Sequence, residues 1–219
     1  MGLILSIETS TKNSSVALAL NGEILSIKES TNKRPSEVLH LYIQEVFENT
    51  DFSLQDLQAI AISRGPGSYT GLRIGTSAAK GLCFALDIPL IALETLDLLF
   101  EQGKNPAYDF IIPMLDARRM EVYTATYNLK NNTKTATNAK VLDQNSFKEL
   151  HDKGQVLCIG TGVKKFQEVC DGPNFSFTKS LPSSREMIKL AQVKFNNKDF
   201  EDTAYFEPYY LKDFVGRKP

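Results

Sequence analysis

The stretch RGPGSYTGLRIG, residues 64–75, sets four glycines where an apolar run, LQAIAIS (57–63), meets a helix-forming segment. Such a loop between strand and helix is a common phosphate cradle, because free N–H groups and the helix dipole both favour an anion. Neither standard cradle is present. Walker A needs Gly-Lys-Ser/Thr five residues after its first glycine, and those places hold Thr70 and Leu72. The dinucleotide fingerprint GxGxxG fails because its third glycine would have to stand at Thr70. A Gly-Pro-Gly turn, with Ser68 or Thr70 capping the next helix, accounts for Gly65, Pro66 and Gly67. It leaves Gly71 and Gly75 unexplained, since each costs a helix interior about 1 kcal/mol against Ala.

On a helical wheel Gly71, Gly75, Ala78, Leu82 and Ala85 share one face. Leu72, Thr76, Ala79, Cys83 and Leu86 form a neighbouring stripe suited to packing on a sheet. The glycines then have three readings: close packing inside the chain, contact with another chain, or phosphate binding. Arg73 falls in the first helical turn, where the dipole disfavours a cation. It is expected to pair with a carboxylate such as Asp116 or Glu94, or else to face an anion.

Around this loop the chain alternates strands and helices. LILSIE (3–8), SSVALAL (14–20) and EILSIKES (23–30) read as strands, the last two joined by the hairpin signal Asn21-Gly22. Pro35 opens a helix with Val38, Leu39, Leu41, Tyr42, Val46 and Phe47 at helical spacing. SLQD (53–56) reads as a capped turn, the glycine helix as about 71–87, PLIALE (89–94) as a strand and TLDLLFEQG as a helix. The second half approximately repeats the order: strands over 109–116 and 120–128, a helix over 145–154, a strand over 155–160 and a helix over 183–195. The fold class is therefore α/β, with mixed-sheet lobes expected at 1–104 and 105–219.

Composition excludes several classes. A length of 219 residues, 42% hydrophobic, with net charge −1, does not describe a chain that captures nucleic acid by its own field. The basic clusters at Lys164–Lys165 and in the tail YLKDFVGRKP read as solvated surface. MGLILSIETS has no basic leader, and no apolar run nears the ~20 residues of a membrane span. Cys83, Cys158 and Cys170 lack CxxC spacing, so the expected compartment is cytoplasmic. His40 and His151 stand alone, with no HxxxH, HExxH or GxSxG pattern. No catalytic or metal-ligating residue is assigned. Glu8, followed by Thr9, Ser10 and Thr11, ends the first strand; Asp116, with Arg118 and Arg119 beyond it, mirrors it in the second lobe. Glu8 and its hydroxyls read either as a strand-end cap or as a phosphate site; Asp116 reads as a turn whose Asp and Arg residues pair with each other or with the first lobe.

LSIETS (5–10), RGPGSYTGLRIG with the following AAKGL, LDARRMEVY (115–123), IGTG (159–162) and EPYYL (207–211) together resemble the TsaB family, also called YeaZ. The resemblance covers essentially the whole chain in matching order. It implies an actin-like ASKHA fold of two RNase-H-like lobes, mixed sheets flanked by helices. It also implies kinship with TsaD, which transfers a threonylcarbamoyl group to the adenosine beside the tRNA anticodon. TsaD-like proteins bind metal through HxxxH; PSEVLHLYIQEVF carries His40 alone and departs from that pattern.

The same resemblance makes this chain a non-catalytic partner that docks the TsaD-like subunit with the helices near 36–48 and 71–86. The implied interface is Val38, Leu41, Tyr42, Glu45, Gly71, Gly75, Ala78 and Leu82, and Gly75→Leu is expected to block the complex while leaving the monomer folded. Glu8, Thr9, Ser10 and Thr11 become the vestige of a nucleotide site. Arg64, Gly65, Pro66, Gly67, Ser68, Thr70 and Arg73 make one family motif loop, and Asp116 with Arg118 another. The chain alone takes no cofactor; ATP or ADP belongs at the interface with the TsaD-like partner. A TsaE-like ATPase is a further partner, tRNA is reached only through the complex, no membrane is involved, and a homodimer forms in isolation. The rival readings are a stand-alone ASKHA-type ATP-binding phosphotransferase and a glycoprotease-like (M22) peptidase.

Overall fold

The computed structural model describes residues 2–212. Its first three strands, β1 (Leu3–Glu8), β2 (Ser14–Leu20) and β3 (Glu23–Ser30), form an antiparallel meander. Asn21 (φ 51°) and Gly22 (φ 85°) make the turn between β2 and β3, the positive-φ pair that a two-residue hairpin requires. Helix α1 (Pro35–Glu45) starts on the proline expected of it, with Glu37 Oε2 accepting the Arg34 N–H at 3.2 Å. Strand β4 (Ala59–Gly65), helix α2 (Tyr69–Leu86) and strand β5 (Leu90–Glu94) follow. The sheet order is β3-β2-β1-β4-β5, with β4 parallel to both β1 and β5.

Strand alternation divides this sheet into two unlike faces. Leu3, Leu5, Ile7, Val16, Leu18, Ile60 and Ile62 form a large-residue core with α1 and α2. The opposite face carries Ser6, Glu8, Ser15, Ala17, Ala61 and Ser63, all buried. It is covered by the last helix, α5 (Ser184–Asn196), whose Ile188 packs on Ala17 and Ala19.

The remaining elements are α3 (Thr95–Gly103), β6 (Phe110–Asp116), β7 (Glu121–Thr124), β8 (Tyr127–Asn128), β9 (Thr133–Lys134), β10 (Asn138–Val141), β11 (Val156–Ile159), α4 (Val163–Gln167) and β12 (Phe175–Thr178). They build a second sheet of order β10-β7-β6-β11-β12, with β8 and β9 added beside β6. Here β6 pairs antiparallel with β7 and parallel with β11, as β1 does with β2 and β4.

Two expectations change. The described residues divide into 2–95 with 182–212, and 96–181, so helix α5 returns to the first unit instead of finishing the second. The cause is the small-residue sheet face, which needs the apolar stripe of Met187, Ile188 and Ala191 to cover it. The helix expected over 145–154 shrinks to a single 3-10 turn, Lys148–Leu150. Asp143 and Ser146 tie up local N–H and O–H groups, and Phe147 turns inward at φ 59° to pack edge-on against Phe166.

Candidate functional site

The end of β1 and the start of α2 meet through glycines. A Cβ at Gly67 would strike the Ser10 carbonyl oxygen; one at Gly71 would strike the Thr9 carbonyl oxygen; one at Gly75 would strike Thr9 Oγ1. Thr9 Oγ1 donates to the Gly71 carbonyl at 2.8 Å, and the Ser68 N–H donates to the Ser10 carbonyl at 2.6 Å. Ser68 also caps α2 by accepting the Gly71 N–H at 3.2 Å. The three glycines therefore let the β1–β2 connection lie against the helix's first two turns. Gly71 and Gly75 are buried against their own chain and do not belong to a face offered to another subunit, which corrects the expected interface. By the same geometry Gly75→Leu acts first on the fold of the monomer.

Gly65, at φ 109°, makes room for the C-terminal segment, whose Tyr209 carbonyl occupies the place of a Cβ. The Tyr209 N–H donates to the Arg64 carbonyl at 2.7 Å, and the Tyr210 ring lies 4.7 Å from Tyr69. EPYYL and RGPG thus form one structural unit. Of the basic tail only 210–212 lie within the described residues. Arg73 does not take the carboxylate expected of it: it lies over the Tyr69 ring, 4.2 Å from the centroid, with Nη2 donating to Tyr69 Oη at 2.5 Å.

Glu8 is fully buried. Its Oε1 accepts the Ser10 N–H at 2.5 Å, while Oε2 has no partner. Burial pushes the carboxyl up to about 7; hydrogen bonding from Ser10 and the nearby Ser63 hydroxyl offset part of that rise, and the charge of Glu186 adds to it. Because the folded value lies above the unfolded one, the fold binds this proton more tightly. The stability that this proton contributes is then complete below about pH 4.5 and is lost as pH rises to about 7. At ~1.4 kcal/mol per pH unit the loss is about 3 kcal/mol, and Glu8→Gln is expected to flatten it in urea unfolding followed across that range. A wild-type midpoint that holds constant there would contradict the protonation of this buried acid in the fold.

In the second unit Asp116 is engaged, not free. Lys165 Nζ donates to its Oδ1 at 2.7 Å, as does the Arg118 N–H at 2.7 Å, and its own N–H donates to Thr161 Oγ1 at 3.0 Å. Arg118 and Arg119 both hold positive φ at this hairpin tip. In GTG (160–162), Gly160 and Gly162 pass close to the Met114 carbonyl, which accepts the Gly162 N–H at 2.9 Å. Among the described residues no group of three or more His, Cys, Asp or Glu is placed to hold a metal ion.

A different surface is open. A cavity of about 690 Å³ lies between α1 and α2, with His40, Phe47, Phe52 and Leu54 on one side and Ser77, Ala78, Gly81 and Leu82 on the other. Ala78 and Leu82, both expected at a partner interface, line this cavity. Leu41 is exposed on α1, but Val38 and Tyr42 point into the core and Glu45 pairs with Lys28 at 3.3 Å. The wheel identifies residues that share a face; it does not say which face turns inward. Gly81 was missed as a surface residue: a Cβ there has nothing within 4 Å. Phe84, 87% exposed, stands one turn further along the same stripe.

Two sheets with the same strand order, each built on a central strand that ends in an acidic residue, define an actin-like ASKHA architecture of two RNase-H-like lobes. A family model described as TsaD, tRNA N6-adenosine threonylcarbamoyltransferase, matches residues 24–213. The chain is 31% identical to the tRNA threonylcarbamoyladenosine biosynthesis protein TsaB of Buchnera aphidicola subsp. Schizaphis graminum, over 85% of this chain and 91% of that one. It is 28% identical to the Escherichia coli K12 protein of the same name, over 98% and 96%. The solved structure of YeaZ from Pseudomonas aeruginosa matches it with a TM-score of 0.82 at 26% identity, covering 96% of this chain and all of that one. The chain belongs to the TsaB (YeaZ) family of the ASKHA superfamily. Among its described residues no helix is long and apolar enough to cross a membrane.

Proposed function

We propose that this chain serves threonylcarbamoyladenosine formation in tRNA as a non-catalytic subunit, docking and activating a TsaD-like catalyst through the α1/α2 face. The names of its relatives supply the pathway. The observation that carries the docking face is Gly81. A glycine inside an exposed helix costs about 1 kcal/mol against Ala, and here no neighbour in the chain needs the space. The apolar cavity beside it and the projecting Phe84 suit a helical partner laid into the groove.

In this reading a TsaE-like ATPase joins the assembled pair in the cytoplasm, ATP or ADP sits between subunits, and tRNA is contacted only by the complex. Without its partner the chain uses the same face to form a homodimer. The test combines TsaD-like and TsaE-like proteins, threonylcarbamoyl-adenylate and tRNA, with and without this chain, and counts modified adenosine by mass spectrometry. Modification is expected to require the chain, which alone turns over no ATP. Equal modification in its absence would overturn the proposal, and micromolar ATP binding by the isolated chain would favour a stand-alone phosphotransferase.

A further inference from the structure

The hairpin between β6 and β7 carries the stretch LDARRMEVY, to which the docking face gives no role. Two backbone bonds close its tip: the Ala117 N–H donates to the Glu121 carbonyl at 3.0 Å, and the Glu121 N–H to the Arg118 carbonyl at 3.2 Å. Within it Arg118 and Arg119 stand at φ 69° and 47°. That left-handed backbone crowds the Cβ of an L residue against a carbonyl, so tight hairpins favour Gly, Asn or Asp there. Two adjacent arginines are a disfavoured choice, and the turn does not account for them.

The chain itself makes no use of their side chains. Asp116, the acid expected to pair with them, accepts only the backbone N–H of Arg118, and Lys165 Nζ neutralises it at 2.7 Å. Asp143 follows Leu142, whose N–H donates to the Met120 carbonyl at 2.7 Å. Its carboxylate accepts the Asn145 N–H at 2.9 Å and the Ser146 hydroxyl at 3.0 Å, and it faces Lys140. Among the described residues neither guanidinium has a hydrogen-bond or ion-pair partner, and both residues are exposed. Asp116 cancels against Lys165, and the two arginines outweigh Glu121, so the tip is cationic.

A guanidinium is a planar fork of donors that fits a phosphate through parallel hydrogen bonds. Two forks on a turn pinned by Asp116 lose little freedom when such an anion arrives. The names of the relatives place them in a pathway that acts on tRNA, whose backbone is a dense row of phosphates. We propose that Arg118 and Arg119 grip backbone phosphates of tRNA while the chain is bound to its TsaD-like partner. This grip presupposes the docking proposed above: with a net charge of −1 the chain has little general attraction for nucleic acid, and the partner brings the RNA within reach. Contacts of this kind position the RNA and do not read its sequence.

The test combines Arg118→Asn with Arg119→Gly, which removes both forks and gives the turn a favoured pair, so the chain should melt no lower than the wild type. Assembly with the TsaD-like partner, measured first and without RNA, is expected to be unchanged. Binding of an unmodified tRNA transcript to the assembled pair should then weaken roughly tenfold at about 50 mM salt, with a log–log salt slope shallower by about 1.5, as the loss of two phosphate contacts requires. Arg118→Lys with Arg119→Lys keeps the charges without the forks and should retain the slope while losing part of the affinity. Unchanged tRNA binding in the first double variant overturns the grip and leaves docking intact. A wild-type chain that does not assemble with the partner overturns the docking, and the grip with it. Lost assembly with tRNA binding retained would assign the tip to an acidic protein surface instead. Inorganic phosphate and ATP, titrated against the bound tRNA, separate the sources of phosphate: displacement at micromolar concentration would make the tip a site for a small anion and overturn the assignment to RNA. A lower melting temperature in the first double variant would show that the turn itself needs the arginines, and overturns it too.

Discussion

Gly71→Leu is expected to cost the isolated chain about 4 kcal/mol, a large part of the stability of an ordinary domain. Overpacking by a large side chain usually costs 1–3 kcal/mol when the neighbours are side chains that shift. Here the first atom met is the Thr9 carbonyl oxygen, held in the tight β1–β2 connection. Moving it also breaks the Thr9 Oγ1 to Gly71 bond, roughly 1 kcal/mol more. For a chain of this size the melting temperature should fall by roughly 10–15 °C. Gly71→Ala, whose Cβ already collides, should show a smaller loss of the same sign. A wild-type unfolding midpoint in Gly71→Leu, together with loss of partner binding, would restore the reading in which this glycine faces another subunit.

Most of the fold is legible in the sequence because its signals are local. Asn21-Gly22 fixes the hairpin, Pro35 the start of α1, and the apolar runs ending in Glu8 and Asp116 mark the two central strands. The return of α5 depends on what its apolar stripe covers: the same Met187, Ile188 and Ala191 would suit either sheet. Segment 145–154 has helical spacing, yet its Phe147 and His151 answer to Phe166 and Phe175. The site divides in the same way. That Glu8 is an acid at a strand end is written in the sequence; that it is buried is set with α5, which covers that sheet face and arrives about 175 residues later.

The glycines of α2 show most sharply what the sequence leaves open. Gly71, Gly75 and Gly81 carry the same propensity penalty, and the wheel favours the first two as a smooth docking stripe. Only their surroundings separate them: the first two are filled by Thr9, and the third faces empty space.

Gly81 therefore has the opposite expectation to Gly71. Gly81→Ala should stabilise the isolated chain by about 0.5–1 kcal/mol, since the helix gains propensity and nothing is displaced. Gly81→Glu should fold at least as well as the wild type, because its side chain projects freely. In the proposed complex the same carboxylate would be pressed into the apolar groove beside Ala78 and Leu82 without a cation to meet it. An unpaired buried charge costs about 3–5 kcal/mol, so affinity for the TsaD-like partner should fall about a thousandfold. Calorimetric melting of the free chain and titration with the partner read the two effects separately. Full affinity in Gly81→Glu would remove the α1/α2 face from the interface. A lower melting temperature in both variants would mean that the chain itself needs this glycine, and its cost to the helix would no longer point to a partner.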